Sequence, residues 1–355
     1  MAYTTIDDPS AYFQTVLYTG NEQARDITFT GNSNMQPDWV WAKIRSQGFS
    51  HRLFDSVRGT GKFLHSDGSD AEGTQNANVS AFNSNGFSLG NDNGINSNGD
   101  THVAWNWKAG TSFSNSSGAN NATIASTGSI NTDAGFSIIS WTGDGNNGAK
   151  IAHGLGATPA IVITKRRDDT GDWQTGGSTI DTARGGANSL LLLNTTAVMD
   201  SNSEVYQTFS STTFQVGVNA YINTNNATMI SYCFKNVQGY SKSGSYKGNN
   251  NANGTFVYTG FKPAFVMIKL IDTQTDGWVI QDNKRDISNT GTSTRLRANT
   301  AGAEFTSTNE IDFLSNGFKP RGDDGEINGN GSKHIYIAFA ESPLVTSTGV
   351  PATAR

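Results

Sequence analysis

The sequence predicts an all-β protein made of three tandem β-sandwich domains with jelly-roll-like character. Three observations predict it. Short segments such as Val103, Trp105 and Trp107 alternating with Ala104 and Asn106 are rich in β-branched and aromatic residues and are bounded by Gly, Asn and Pro. No stretch sets apolar residues at i, i+3, i+4 and i+7 between helix caps, so helix content should be minimal. Finally, one ordered pattern of residues occurs three times, with a period of about 100 residues. Solenoid repeats run roughly 20–50 residues, so this period marks whole domains, and each copy should own a core.

The elements of the pattern follow in chain order. A first strand ends in glycine in "LYTGN" (17–21), "SWTGD" (140–144) and "SYKGN" (245–249). A second strand runs from a proline to a lysine six positions later in "PDWVWAK" (37–43), "PAIVITK" (159–165) and "PAFVMIK" (263–269). An Asp-x-x-Arg spacing comes next, as Asp55 with Arg58, Asp181 with Arg184, and Asp282 with Arg285. Phe87, Phe214 and Phe318 follow, two of them in Asn-Gly-Phe, where Asn-Gly signals a hairpin turn. An Ile-Asn-x-Asn turn then leads into the last strand in "INSNGDTHVAWNWKAG" (95–110), "INTNNATMISYCFK" (222–235) and "INGNGSKHIYIAF" (327–339).

The copies therefore cover 12–110, 133–237 and 242–342. Residues 1–11 have no counterpart in the repeat and are the candidate docking segment. Residues 111–132 are rich in Gly, Ser, Asn and Thr and read as a flexible or only locally ordered linker, while 343–355 form a tail.

Charged residues make up only 15% of the 355-residue chain and the formal net charge is −5, so solubility rests on neutral hydrogen-bonding side chains. No Lys/Arg cluster is interleaved with aromatics, which argues against a nucleic-acid partner. No apolar run reaches the roughly 18 residues of a membrane helix, so membrane insertion is not expected. The N-terminal residues carry neither a basic region nor an apolar core, and the chain reads as soluble and unprocessed. The single cysteine, Cys233, leaves no intrachain disulfide to form and points to a reducing cytoplasm.

Candidate sites are few. The Asp-x-x-Arg pairs combine carboxylate and guanidinium at fixed spacing, and their recurrence in all copies reads as structural ion pairs that clamp a loop. The loop "RGDDGEINGNG" gathers Asp323, Asp324 and Glu326, oxygen ligands of the kind calcium takes, although the spacing matches no EF-hand. Trp39 and Trp41 share one strand face and form a candidate sugar platform, with core filling as the competing reading. No zinc spacing, nucleophile elbow, phosphate loop or dinucleotide fingerprint occurs, so a non-enzymatic protein without a cofactor is expected. A polysaccharide depolymerase with carboxylates scattered over loops is the remote alternative.

The segments "YTTIDDPSAYFQTVLYTGN", "QPDWVWAKIRSQGFSHRLFDSVRG", "FNSNGFSLG" and "VAWNWKAG" of the first copy resemble a domain of unknown function that recurs, often in tandem, in structural proteins of tailed bacteriophages, especially marine ones. The resemblance implies a virion component: a tail fibre, or a capsid fibre or decoration protein, assembled in the host cytoplasm. Its implied partners are other capsid or tail proteins and a host cell-surface glycan, the latter making the chain a receptor-recognition module. Fibre proteins commonly trimerise, yet three copies in one chain could supply pseudo-threefold geometry from a monomer. The second copy departs from the pattern by replacing Asn-Gly-Phe with Thr212-Thr213-Phe214.

Overall fold

The computed structural model describes residues 2–272, 275–286, 289, 293–308 and 311–353. Met1 of the expected docking segment and residues 354–355 of the tail lie outside the described residues. Its sheets repeat. In the first copy, strands Phe13–Thr19, Thr101–Trp107, Trp39–Ile44 and Arg52–Asp55 form one sheet in that order, and Arg25–Thr28, Gly86–Leu89 and Val79–Asn83 form a second. The second copy arranges Phe136–Thr142, Thr228–Phe234, Ile161–Arg166, Gln174–Gly176 and Ser189–Leu192 in the same way, over Ala149–Ala152, Thr213–Val216 and Tyr206–Phe209. The third follows with Ser241–Lys247, Lys333–Pro343, Phe261–Leu270, Trp278–Asp282 and Ser293–Arg297, over Val257–Tyr258, Gly317–Pro320 and Ile311–Leu314. Every pair within these sheets is antiparallel, as alternating apolar patterns with short turns favour.

Each copy owns a core between its two sheets. In the first, Val40, Ala42, Phe54 and Ala104 of the larger sheet meet Ile27, Phe87, Leu89 and Val79 of the smaller. Period-two alternation sends the intervening residues, Trp39, Trp41, Trp105 and Trp107, to the opposite face. That face is not solvent. It packs against the corresponding faces of the other copies, where Phe136, Ile161, Ile163, Tyr232 and Phe234 meet Phe265, Met267, Ile335, Ile337 and Phe339 in one shared core. The larger sheets are therefore buried on both sides, and the chain closes on itself as a pseudo-threefold ring of sandwiches.

Two segments differ from their expected character. Residues 111–132 are not a free linker: Thr111–Asn115 and Ser126–Asn131 pair with each other, and the second pairs with Phe136–Thr142, extending the sheet of the second copy to eight strands. Backbone hydrogen bonds are indifferent to side-chain identity, so a hydroxyl-rich segment next to an open sheet edge completes the ladder. Residues 2–11 are likewise docked within the chain. Ile6 is buried in the shared core, Thr4 Oγ1 donates to Gln238 O at 2.9 Å, and Tyr3 Oη donates to Gly260 O at 2.7 Å. The backbone N–H of Ser347 in the tail donates to Asp7 Oδ1 at 2.6 Å, so the tail and the N-terminal segment hold each other.

Two repeated signatures gain a physical explanation here. The glycines of the first strands, Gly20, Gly143 and Gly248, leave no room for a Cβ, which would collide with the carbonyls of Ser97, Thr224 and Gly329. Those carbonyls belong to the Ile-Asn-x-Asn turns, held down by their second residue. Asn96, Asn223 and Asn328 are fully buried, and each Nδ2 donates to the carbonyl six residues earlier, Gly90, Gly217 and Gly322. Each Oδ1 accepts from the N–H just after the repeated glycine, in Asn21, Asp144 and Asn249.

Candidate functional site

The charged residues singled out by spacing lie at the seams between copies. Arg58 Nε donates to Asp55 Oδ2 at 2.5 Å, Arg285 Nε donates to Asp282 Oδ2 at 2.6 Å, and all four side chains are fully buried. In each pair the guanidinium also donates to a strand carbonyl, Leu53 O or Ile280 O. A neighbouring copy completes the carboxylate: Tyr232 Oη donates to Asp55 Oδ2 at 2.7 Å, and Trp105 Nε1 to Asp282 Oδ2 at 2.9 Å. Burial alone would lower the proton affinity of Arg58, but Asp55, Tyr232 and Glu72 outweigh it and raise it above the ordinary value.

A second carboxylate extends each set across the seam. Glu72 accepts from Arg58 Nη1 at 3.3 Å and from Arg167 of the second copy through Nε at 2.9 Å and Nη2 at 3.1 Å. Glu304 repeats this with Arg285 at 3.0 Å and Arg45 of the first copy at 2.9 and 2.8 Å. The backbone N–H groups of Glu72 and Glu304 donate to Arg167 O and Arg45 O, both at 2.8 Å. Burial pushes the Glu72 carboxyl up, and the two arginines more than reverse this, leaving it below the usual carboxylate range.

The second copy breaks the pattern, and the expected Asp181/Arg184 ion pair is corrected. Sheet register sets Val162 opposite Gly176, where the other copies set Val40 opposite Phe54 and Val266 opposite Gln281. Gly177 therefore stands at the position of Asp55 and Asp282, and Ile180 at that of the arginines. Asp181 and Arg184 fall one helical turn further on, in Ser178–Arg184, where Asp181 accepts from Ser189 N at 2.9 Å and Arg184 is exposed; among the described residues no ion pair joins them. The partners across that seam change in concert. Ile337 takes the place of Trp105 and Tyr232, and Met199 N donates to Ile271 O at 3.0 Å where the other seams hold Glu and Arg.

Other polar contacts recur at all three seams. His51 Nε2 lies 3.0 Å from Arg297 O, Trp173 Nε1 donates to His65 O at 2.8 Å, and Trp278 Nε1 donates to Leu192 O at 3.0 Å. Trp41 Nε1 donates to His51 Nδ1 at 2.8 Å, which fixes the neutral imidazole with its proton on Nε2. The lysines ending the Pro-to-Lys strands are fully buried, and Lys165 and Lys269 reach across seams to Ser69 O and Thr196 O at 3.2 Å. Burial pulls Lys43, Lys165 and Lys269 down to about 8.

Trp39 and Trp41 are 2% and 1% exposed, and Trp39 stacks on Tyr232 with centroids 4.4 Å apart, so the expected sugar platform is core. The proposed calcium loop is also corrected in part. Glu326 is buried and accepts from Arg297 Nε at 2.6 Å and Nη2 at 2.8 Å, while Asp324 caps the turn through Glu326 N at 2.9 Å and pairs with Arg295. Guanidinium groups thus take the oxygens a cation would need, and Asp323 lies exposed beside them. Cys233 is a packed thiol that burial pushes up to about 12.

Several clefts open at the surface, one of about 470 Å³ beside Val57 and Gly128. Clefts of about 270, 260 and 310 Å³ sit at equivalent places, beside Thr30, Gly154 and Gly260, each three residues past an inward apolar residue of the smaller sheet. The first is crossed by Gln14, which accepts from Gly31 N at 2.9 Å and donates to Ser10 O at 2.8 Å. The second is lined by Phe113 of the inserted strands, and the third by Tyr3, Lys242 and Tyr258.

Among the described residues no three of His, Cys, Asp or Glu are placed to hold a metal ion, and no helix is long and apolar enough to cross a membrane. Fold and seams together define an all-β protein of several sheets whose repeated polar residues lock sandwiches around one core. The chain belongs to the family described as a domain of unknown function, DUF7483, which matches residues 8–343 and so takes in all three copies as one unit. No curated protein and no solved structure matches it. Reasoning on sequence missed the asparagine clamp and the cyclic seam contacts, although Asn96, Asn223 and Asn328 stand at one repeat position that could have marked the former.

Proposed function

We propose that this chain is a non-enzymatic structural component of a tailed-bacteriophage virion, a tail fibre or a capsid fibre or decoration protein, assembled in the host cytoplasm and contacting other capsid or tail proteins. One observation carries the reading. The Asp-Arg-Glu clusters of the first and third copies face a neighbouring copy across a buried seam rather than a cleft where chemistry could occur. Such a unit offers rigidity and a neutral, hydroxyl- and amide-rich surface, which suits a particle component. The resemblance of the first copy to phage structural domains supports the same reading. Because the copies already form a ring within one chain, a monomer supplies the threefold geometry that a fibre obtains by trimerising, and sedimentation of the purified chain as a trimer would overturn that part. Immunogold labelling or cryo-electron microscopy of intact particles tests the whole. Labelling of the tail or capsid is expected, and particles devoid of the chain would refute the proposal.

A further inference from the structure

Because the three copies share one architecture, an exposed feature that a single copy carries and that makes no seam contact stands out. The edge strand of the third small sheet, Val257–Tyr258, is such a case. Val257 pairs with Phe318 as Ile27 pairs with Phe87 and Ile151 with Phe214, which fixes the equivalence of the three edges. Around that inward residue the third copy exposes Phe256 and Tyr258, 45% and 46% accessible. The same positions hold Asp26 and Thr28 in the first copy and Lys150 and Ala152 in the second. Lys242 likewise stands where the others have Gln14 and Ser137.

Tyr258 and Lys242 line one cleft of about 310 Å³, near the lower end of the roughly 300–1,000 Å³ typical of ligand pockets, and Phe256 stands two residues before Tyr258, outside that lining. Tyr3 from the chain start lies with its Oη 3.3 Å from Tyr258 Oη. Lys242 Nζ donates to Tyr258 O at 2.8 Å and sits 5.1 Å from the Tyr258 ring centroid. The exposed side chains of Gln238 and Asn236 complete the rim. We propose that this cleft and its aromatic edge bind a carbohydrate chain. Aromatic faces accept the C–H faces of sugar rings, while phenol, amide and ammonium groups around them match ring hydroxyls and the oxygens of acidic substituents. A docking protein strand suits the edge less well, because Lys242 already takes the Tyr258 carbonyl that such a strand would pair with.

The site stands independently of where the chain sits in a particle. Its test uses the full chain on an immobilised panel of neutral hexose, N-acetylhexosamine, uronate and sulfated galactan oligosaccharides. Retention on at least one glycan class is expected, with at least tenfold weaker binding for Tyr258→Ala and for Phe256→Ala. Tyr221→Ala, which removes an aromatic 43% exposed in the second copy, should leave binding unchanged. Unchanged circular dichroism and thermal midpoints keep the variants interpretable. Absence of binding across the panel, binding insensitive to both aromatic substitutions, or a Tyr258-dependent self-association in place of glycan binding would each overturn the assignment.

Discussion

The seam between the first and second copies can be converted into the chemistry of the seam between the second and third. Glu72→Met and Arg167→Ile reproduce there what Met199 and Ile271 already do, since both pairs share the same backbone contact, N–H to O at 2.8 Å in one and 3.0 Å in the other. The side chains of Glu72 and Arg167 are only 11% and 16% exposed, so each ion is largely desolvated. Glu72→Met alone strands Arg167 and leaves Arg58 with Asp55 as its one carboxylate, and Arg167→Ile alone strands part of Glu72. Breaking a buried pair from one side costs about 3–5 kcal/mol, a figure to be lowered toward about 2–3 for this partly accessible one. Replacing both sides removes the uncompensated charge, so the double variant should lie within about 1–2 kcal/mol of the parent, giving a coupling energy of about 2–5 kcal/mol. Urea unfolding of the four proteins, followed by fluorescence and far-UV circular dichroism together, measures it. Additive effects, with coupling below about 0.5 kcal/mol, would refute the claim that the two residues form one buried unit.

Other outcomes follow from the same seams. Native Lys43, Lys165 and Lys269 release protons near 8, whereas an unfolded lysine holds its proton to about 10.4. The unfolded chain therefore binds more protons across that interval, and stability should rise from pH 7.5 to 9.5 by about 2 kcal/mol per lysine, read as a rising urea midpoint; a falling midpoint would contradict it. Burial holds His102 and His153 near 4, below the 6.5 of a free imidazole, so their contribution is complete above pH 6.5 and lost as pH falls toward 4, by about 3 kcal/mol each. The midpoint should drop through that window, and His102→Phe, which keeps an aromatic ring over Tyr18 at the present 4.8 Å stack, should flatten the drop. Gly143→Ala forces a methyl into the Thr224 carbonyl and should cost about 2–4 kcal/mol, whereas Gly185→Ala, where nothing lies within 4 Å, should cost only about 1 kcal/mol for its left-handed φ of 87°. Equal midpoints for the two variants would show that the close approach at Gly143 does not limit stability.

Much of this architecture was legible in sequence because it depends on local rules. Alternation and turn residues gave the strands, and the Pro-to-Lys segments and Ile-Asn-x-Asn turns gave the repeat. What failed depended on register and on burial of a second face. Asp181 and Arg184 have the spacing of Asp55 and Arg58, but the ladder places Gly177 and Ile180 at the equivalent points, and spacing carries no information on pairing. Alternation correctly put Trp39 and Trp41 on one face and Val40 on the other. It could not say that both faces are interior, because that follows from three sheets meeting at one core. Composition misread 111–132, since Ser and Thr are as able as Val to pair along a sheet edge.

The distribution of seam residues also fixes the order of the ring. Call the Asp-Arg-Glu side of a seam its acceptor half and the indole or phenol with the second arginine its donor half. The first copy carries both, as Asp55, Arg58 and Glu72 on one side and Trp105 and Arg45 on the other. The second keeps only the donor half, Tyr232 and Arg167, and the third only the acceptor half, Asp282, Arg285 and Glu304. In the observed order the two remaining apolar halves, Gly177, Ile180 and Met199 against Ile271 and Ile337, meet each other. The reversed order would set Asp55, Arg58 and Glu72 against Ile271 and Ile337, and Arg45 against Met199, so that Glu72 keeps Arg58 but loses its second arginine and Arg45 loses Glu304. Broken ion pairs at two seams disfavour that arrangement relative to the observed one. A homotrimer must make its three interfaces identical and cannot encode an order in this way. Three copies in one chain can, and here the Asp-Arg pairs of the first and third copies, read from spacing as structural ion pairs, lie at the seams that set that order.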